Sequence, residues 1–432
     1  MVADATLYRV DGEIGRITFS CHHVMREGSL VLDTSREVFP ALIGKEWYRT
    51  VGFKELAIVR GTLDGSYRHT TQILNRIRHQ PQATPLRTLQ DAVEAEGVAA
   101  ATALEIEAKR TIREAGMDEE TLIPVGKRTT WEPQRLDPTL VDCALRQVAP
   151  DEQTLQAMRN NPVGYEDPRV TVNVSIDDVL AKKQKEHRVR KGQTKDELPD
   201  CEARKEQPSE EQKKSVHITV AHIETTAGTR VFASAGLLST CLLVVAFLVA
   251  NKRLRSNWMF FLDGQRSLHD AVLRVFAWQG TLQLILDWYH VVKKCRESLS
   301  LALNNRHVRN EVLKHLVRLL WYGNVDAASA YLNQVDSKHV KAADALERLV
   351  RYLERHRPYI PCYAARKKLG LRNSSNCGEK SNDLVVSSRQ KHNGMSWSQP
   401  GSSALATLRT LVCNDTCQQW FETRTVDFHL AA

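Results

Sequence analysis

Hydrophobic positions along this chain follow two different periods. From Ser66 they recur every three to four residues. In SYRHTTQILNRI, Tyr67, Thr70, Ile73, Leu74 and Ile77 share one helical face, and Ser66 is placed to cap the first turn. After Gln80-Pro81-Gln82-Ala83, Thr84-Pro85 opens a second helix, with Thr as the N-cap, Pro at the first helical position and Gly97 after the last turn. Helical pattern continues over 98–119, and a proline-punctuated connector then runs over 121–168. There the period changes to two. In RVTVNVSI, Val170, Val172, Val174 and Ile176 alternate with polar residues, which predicts a strand ending at Asp177-Asp178.

The strands 216–223 (VHITVAHI) and 229–233 (TRVFA) stand in hairpin relation around Thr225-Thr226-Ala227-Gly228. The apolar run 236–250 has fifteen residues, whereas a membrane span needs ~20, so it predicts a buried core helix and no membrane association. Two short apolar strands follow, 258–262 (WMFFL) ending at Asp263-Gly264 and 281–286 (TLQLIL) ending at Asp287-Trp288-Tyr289-His290, with an amphipathic helix 268–278 between them. Long helices reach to about 355. A polar loop 373–378 then leads into Glu379 and a helix to about 392. This order predicts a mixed α/β core with a helical insertion at 291–372. The first 50 residues hold strand-like runs at 14–19 and 29–32, and 398–432 reads as a tail.

Composition narrows the classes. Lys and Arg total 60 against 51 acids, a net charge of +9 that is compatible with a polyanionic partner without requiring one. The segment 182–215 is dense in charge and reads as an exposed insertion, either solvated or touching a phosphate backbone. Nine cysteines without a C-x-x-C pair argue against a disulfide scaffold or zinc ribbon. Cys21-His22-His23 looks metal-like but is short of the four ligands of structural zinc. The N-terminus shows neither the basic nor the apolar region of a signal peptide. No phosphate-binding glycine loop and no G-x-S-x-G elbow occurs.

Asp177, Asp263 and Asp287 each close a predicted strand. That puts carboxylates at one rim of a sheet, where α/β proteins keep their sites. Such oxygens suit Mg²⁺ or Mn²⁺ and phosphoryl-transfer chemistry, although a strand-end Asp also caps turns on its own account. The two helices within 66–97 outline a helix-turn-helix, or a plain helical hairpin. In the first case Arg87, Thr88, Gln90 and Asp91 would face base edges, and Arg76, Arg78 and His79 would meet phosphates.

The stretch FFLDGQRSLHDAVLRVFAWQGTLQLILDWYHVVKKCRESL (260–299), the end NCGEKSNDLVVSSRQKHNGMSW (376–397), the strand VTVNVSIDD (170–178) and the helices of 66–97 together resemble bacterial insertion-sequence transposases of the DDE type. The resemblance implies a ribonuclease H-like catalytic domain over 169–397, preceded by an N-terminal region 1–120 that carries the helix-turn-helix. It implies that Asp177, Asp263 and Glu379 bind two divalent metals, Mg²⁺ or Mn²⁺, and catalyse cleavage and strand transfer of DNA. Asp178 is the rival for the first acid, since both follow the strand, and it stands where the family usually has a glycine after that acid. Asp287 is the rival for the second, and Asp287 and His290 are read as site-adjacent. Arg389 and Lys391 would serve phosphates, and Trp288, Tyr289 and Trp397 would stack on a base or pack in the core. The implied partners are double-stranded DNA, as terminal inverted repeats and target, and further copies of the chain on that DNA. The implied location is the bacterial cytoplasm, at the nucleoid. Two other functions fit the same pattern: a non-catalytic DNA-binding protein, and a metal-dependent nuclease of the same fold that cuts without joining.

Overall fold

The computed structural model describes residues 6–12, 15–21, 23–26, 29–33, 47–79, 84–126, 131–184, 214–392 and 394–430. Two compact units divide the chain. Met1–Ala103, Leu180–His217 and Leu384–Val426 form the first; Leu104–Val179, Ile218–Asp383 and Asp427–Ala432 form the second. These bounds differ from the linear domains read from sequence. The reason lies in the first unit's core, where Phe53, Leu74 and Val93 pack with Ala181, Val216, Trp397, Leu405 and Leu408 from distant parts of the chain.

In the first unit, β1 (Thr6–Gly12) pairs antiparallel with β2 (Gly15–Cys21) and parallel with β5 (Trp47–Arg49), while β3 (His23–Arg26) and β4 (Ser29–Asp33) make a separate pair. The Cys21-His22-His23 cluster falls outside the described side chains. Helix α1 (Val51–Leu63) precedes α2 (Tyr67–Ile77), whose cap is the expected Ser66, accepting from the His69 N–H. Helix α3 runs over Leu86–Glu114 without a stop at Gly97. Gly97 does not terminate the helix, because its missing side chain serves a close approach: a Cβ there would run into the Ala404 carbonyl. A mid-helix glycine costs about 1 kcal/mol relative to alanine, but alanine here would meet the Ala404 carbonyl.

In the second unit the expected connector holds two helices, α4 (Pro138–Val148) and α5 (Glu152–Arg159). Pro138 sits at the start of α4 behind the cap Asp137, and Pro150 precedes the cap Asp151; both prolines border helix starts. Strands β6 (Thr171–Lys182), β7 (Ser215–Thr225), β8 (Gly228–Ser234), β9 (Asn257–Leu262) and β10 (Leu282–Leu286) form one sheet in the order β10-β9-β6-β7-β8. β9 is parallel to both β6 and β10, and β7 is antiparallel to β8, so the sheet is mixed. β6 does not stop at Asp177-Asp178. Its pairing with β9 ends at Ser175↔Phe261, but Asp178 accepts from the Thr219 hydroxyl on β7 at 2.5 Å, and the strand continues beside β7.

The apolar run forms α6 (Leu237–Ala250), with Val244 to Leu248 wholly buried. A helix apolar all round belongs inside a core, and no described helix is long and apolar enough to cross a membrane. After α7 (Arg266–Val275), the helical insertion comprises α8 (Trp288–Ala302), α9 (Arg306–Trp321), α10 (Val325–Asn333), α11 (Ala343–His356) and α12 (Tyr363–Lys368). Leu299, Leu316, Leu332, Leu349 and Leu353 of these helices share a core with Phe261 and Leu286 of the sheet. Helix α13 (Asn376–Asn382) closes the unit and runs into a wide π turn at Asp383–Ser387.

Back in the first unit, 398–426 is not a loose tail. Ser398 caps α14 (Gln399–Cys413), whose Leu405, Leu408 and Leu411 are buried, and α15 (Cys417–Thr423) adds Trp420 and Phe421 to the same core.

Candidate active site

Strand register brings two acids together. β6 and β9 are parallel and paired through Ser175↔Phe261. Two residues further along each strand stand Asp177 and Asp263, level with one another and on the same face by the strand's period of two. Neighbouring strands lie ~4.8 Å apart, so the two carboxylates are close neighbours by construction. Gly264 follows at φ +82°, and a Cβ there would be 2.5 Å from the Tyr352 hydroxyl. Only glycine meets both demands, and the turn it makes leaves Asp263 accepting the Gln265 N–H at 2.7 Å.

The third acid arrives on α13. A Cβ on Gly378 would be 2.6 Å from the Ser175 Cβ, so glycine is what seats this helix on β6. Glu379 comes next, with its side chain 47 % exposed and its Oε1 3.4 Å from His290 Nε2. One turn on, Asn382 Nδ2 donates to Asp177 Oδ2 at 2.7 Å. Asp177, Asp263, Glu379, His290 and Asn382 all line one narrow recess.

Electrostatics reflects this crowding. Burial, then the charges of Asp263 and Glu379, push Asp177 up to about 6. His290 Nδ1 lies 3.1 Å from Asp287, and its Nε2 faces Glu379. Burial alone would lower the His290 pKa, but these carboxylates outweigh it and raise it.

The two rival acids stand elsewhere. Asp178 is engaged by Thr219 and donates its own N–H to Asp177 Oδ1 at 2.9 Å. Asp287 is level with Asp263 through Leu286↔Leu262, yet it is 1 % exposed and turned to other partners. It caps α8 by accepting the His290 N–H at 2.9 Å, and it accepts the Ser375 N–H and, at 2.9 Å, the Ser375 hydroxyl. Burial would raise its pKa; the hydrogen bonds from His290 and Ser375 prevail and hold it below the usual range.

The expected DNA contacts separate into exposed and buried residues. Arg76 and Lys391 are exposed. Arg87 is exposed and paired with Asp91 at 2.9 Å, Thr88 is half-buried, and Gln90 is tied to Glu94 at 3.0 Å. Arg78 and Arg389 are not available to phosphates in this arrangement. Arg78 is 3 % exposed, stacked on Phe53 and bonded to Thr84. Arg389 is 1 % exposed, with its guanidinium 4.7 Å from the Tyr67 ring centre and 5.2 Å from that of Trp397. The flat guanidinium stacks on aromatic faces, which the sequence does not reveal. Trp397 and Trp288 pack inside their units, the latter against Trp321 and Tyr363, whereas Tyr289 is 57 % exposed. Sequence reasoning missed Asn382, Ser375 and Tyr352. Only Asn382 left a trace, three residues after Glu379 and so on the same helical face.

The donor set of the recess, three carboxylates beside one imidazole, is of the kind that suits a hard divalent cation. Among the described residues no group of three or more His, Cys, Asp or Glu side chains stands placed to hold a metal ion, and Glu379 faces His290. Comparison with family models, curated proteins and solved structures finds no match to this chain.

Proposed function

We propose that this chain cleaves and joins DNA as a DDE-type transposase with a ribonuclease H-like catalytic domain. The observation that carries the reading is the convergence of Asp177, Asp263 and Glu379 on one recess from two parallel strands and a helix far apart in sequence. The mixed sheet, with its helices inserted between β10 and α13, supports the same fold.

Bound by these carboxylates, Mg²⁺ or Mn²⁺ would polarise the attacking oxygen and offset charge on the phosphate and leaving oxygen. The chain's own contribution is positional. Asn382 orients the Asp177 carboxylate, Gly264 fixes the turn behind Asp263, and Asp287 holds the His290 ring against Glu379. No side chain need act as nucleophile, because water or a 3′-hydroxyl attacks the phosphodiester. The exposed Arg76, Arg87 and Lys391 are the proposed contacts to double-stranded DNA, with α2 and the start of α3 as the site-recognition helices.

The test uses the full chain, Mg²⁺ or Mn²⁺, and duplexes from the DNA flanking its gene. Cleaved ends and strand-transfer products are expected. Asp177→Asn, Asp263→Asn and Glu379→Gln should abolish both while DNA binding persists. Activity that survives Asp263→Asn but not Asp287→Asn would reassign the second acid, and wild-type chain that cuts nothing would overturn the reading.

A further inference from the structure

A basic recess lies between α8 and α11 in the helical insertion. Its volume is about 390 Å³, and Lys294, Arg348, Arg351 and Arg355 line it with no carboxylate among the lining residues. Helical spacing makes it: Lys294, Ser298 and Leu301 share a face of α8, and Arg348, Arg351, Tyr352 and Arg355 share one of α11. The four cations are held there by the buried seam beneath them, where Cys295, Leu299, Leu349 and Leu353 pack.

Their charge is only partly answered. Arg348 pairs with Asp344 at 2.5 Å along the exposed face of its own helix, and Arg351 reaches Glu347 only at 3.9 Å. Exposed pairs of this kind are worth little and are readily exchanged for a stronger anion. Lys294 stands 5.7 Å from the centre of the Tyr352 ring, and Arg355 has no ion-pair partner among the described residues. Four like charges around one concavity repel one another, so the arrangement favours an anion between them.

Tyr352 connects this recess to the carboxylates. Its ring lines the basic side, and its hydroxyl stands over Gly264, the residue after Asp263. An anion in the basic recess would therefore lie about one tyrosine side chain from the acids. Carboxylates repel a DNA backbone, and cations set just beside them would hold a neighbouring phosphate so that the next ones reach the acids.

We propose that the recess between α8 and α11 binds a backbone phosphate of the DNA strand that enters the carboxylate site, a proposal that rests on the function assigned above. The test compares the full-length wild type, Arg351→Gln/Arg355→Gln and the charge-matched control Lys314→Gln/Arg318→Gln, whose residues are exposed on α9 and do not line the recess. A fluorescent duplex is bound over a range of salt concentrations, and cleavage is followed at saturating DNA. The recess variant should lose about one unit from the slope of log K against log salt, at ~0.9 per phosphate contact, and cut at least tenfold more slowly. The control should keep wild-type cleavage, and excess inorganic phosphate should inhibit the wild type more than the recess variant. Wild-type slope and rate in the recess variant, or equal losses in the control, would overturn the proposal while leaving the functional assignment standing. Wild-type chain that neither binds nor cuts DNA would overturn both.

Discussion

Neutralising Asp177 should stabilise the metal-free protein while destroying its activity. Asp177 sits at about 6, raised by burial and by Asp263 and Glu379. An unfolded aspartate titrates near ~3.9, so the rise corresponds to ~3 kcal/mol. The sign follows from linkage. With the folded value raised, the stabilising contribution is complete below ~3.9 and is lost as pH rises through about 6. At pH 8 the folded chain therefore carries an ionised Asp177 at a cost of up to ~3 kcal/mol. Asp177→Asn removes that cost. It also weakens the hydrogen bonds from Asn382 and from the Asp178 N–H, at about 1 kcal/mol.

The expected net gain is about 1–2 kcal/mol at pH 8, shrinking toward zero or reversing near pH 4. Thermal melts in EDTA should read it as a rise of about 2–6 °C in the transition of the second unit, by the size scaling for such units. Added Mg²⁺ should raise the wild-type melting temperature, because the cation relieves the same repulsion, and should raise that of the variant far less. A variant that melts below wild type at pH 8 in EDTA, with a wild type indifferent to Mg²⁺, would refute the claim that these carboxylates crowd one site.

The other expectations concern the site's framework and the DNA contacts. Gly378→Ala should push α13 off β6 and cut cleavage at least tenfold, and adding Ser175→Gly should restore part of it, since the clash is with the Ser175 Cβ at 2.6 Å. Asp287→Asn should cost ~1–3 kcal/mol in urea melts, as buried hydrogen bonds to Ser375 and His290 weaken. Because the Asp287 pKa is depressed, its contribution is present above ~3.9 and fades as pH falls through its lower folded value, so wild type and variant should converge in acid. Arg389→Gln should lower the melting temperature of the first unit without changing the salt dependence of DNA binding. Arg76→Ala should flatten that dependence by about one unit, and Arg87→Ala should relax preference at one base position at ~1–3 kcal/mol; unchanged binding by either would remove that residue from the interface.

Local pattern carried much of the architecture. The strands around Val172, Phe260 and Leu284, the buried helix around Val245 and the cap at Ser66 all lie where periodicity places them, because each is decided by neighbours in sequence. What stayed hidden depends on partners far along the chain. Gly97 reads as a stop signal, and its contact with Ala404 could not be known from the residues beside it. Arg78 and Arg389 read as phosphate ligands because a basic residue is mostly exposed, yet aromatic rings brought in from elsewhere bury them. The discontinuous units have the same origin, since Ala181, Val216 and Leu405 carry no mark of the core they share.

The candidate site shows how two glycines bear on two acids. Gly264 follows Asp263 and Gly378 precedes Glu379, and in sequence the first suggests a turn while the second reads as the last residue of a polar loop. In the fold both are places of close approach, to the Tyr352 hydroxyl and to Ser175. Register alone would align Asp177 with Asp263, but it would not bring in Glu379, which depends on α13 lying flat against β6. A chain that kept all three acids and lost Gly378 would keep the motif and lose the site. The spacing of the acids is therefore a weaker statement of this chemistry than the acids together with the residues that let their backbones come near.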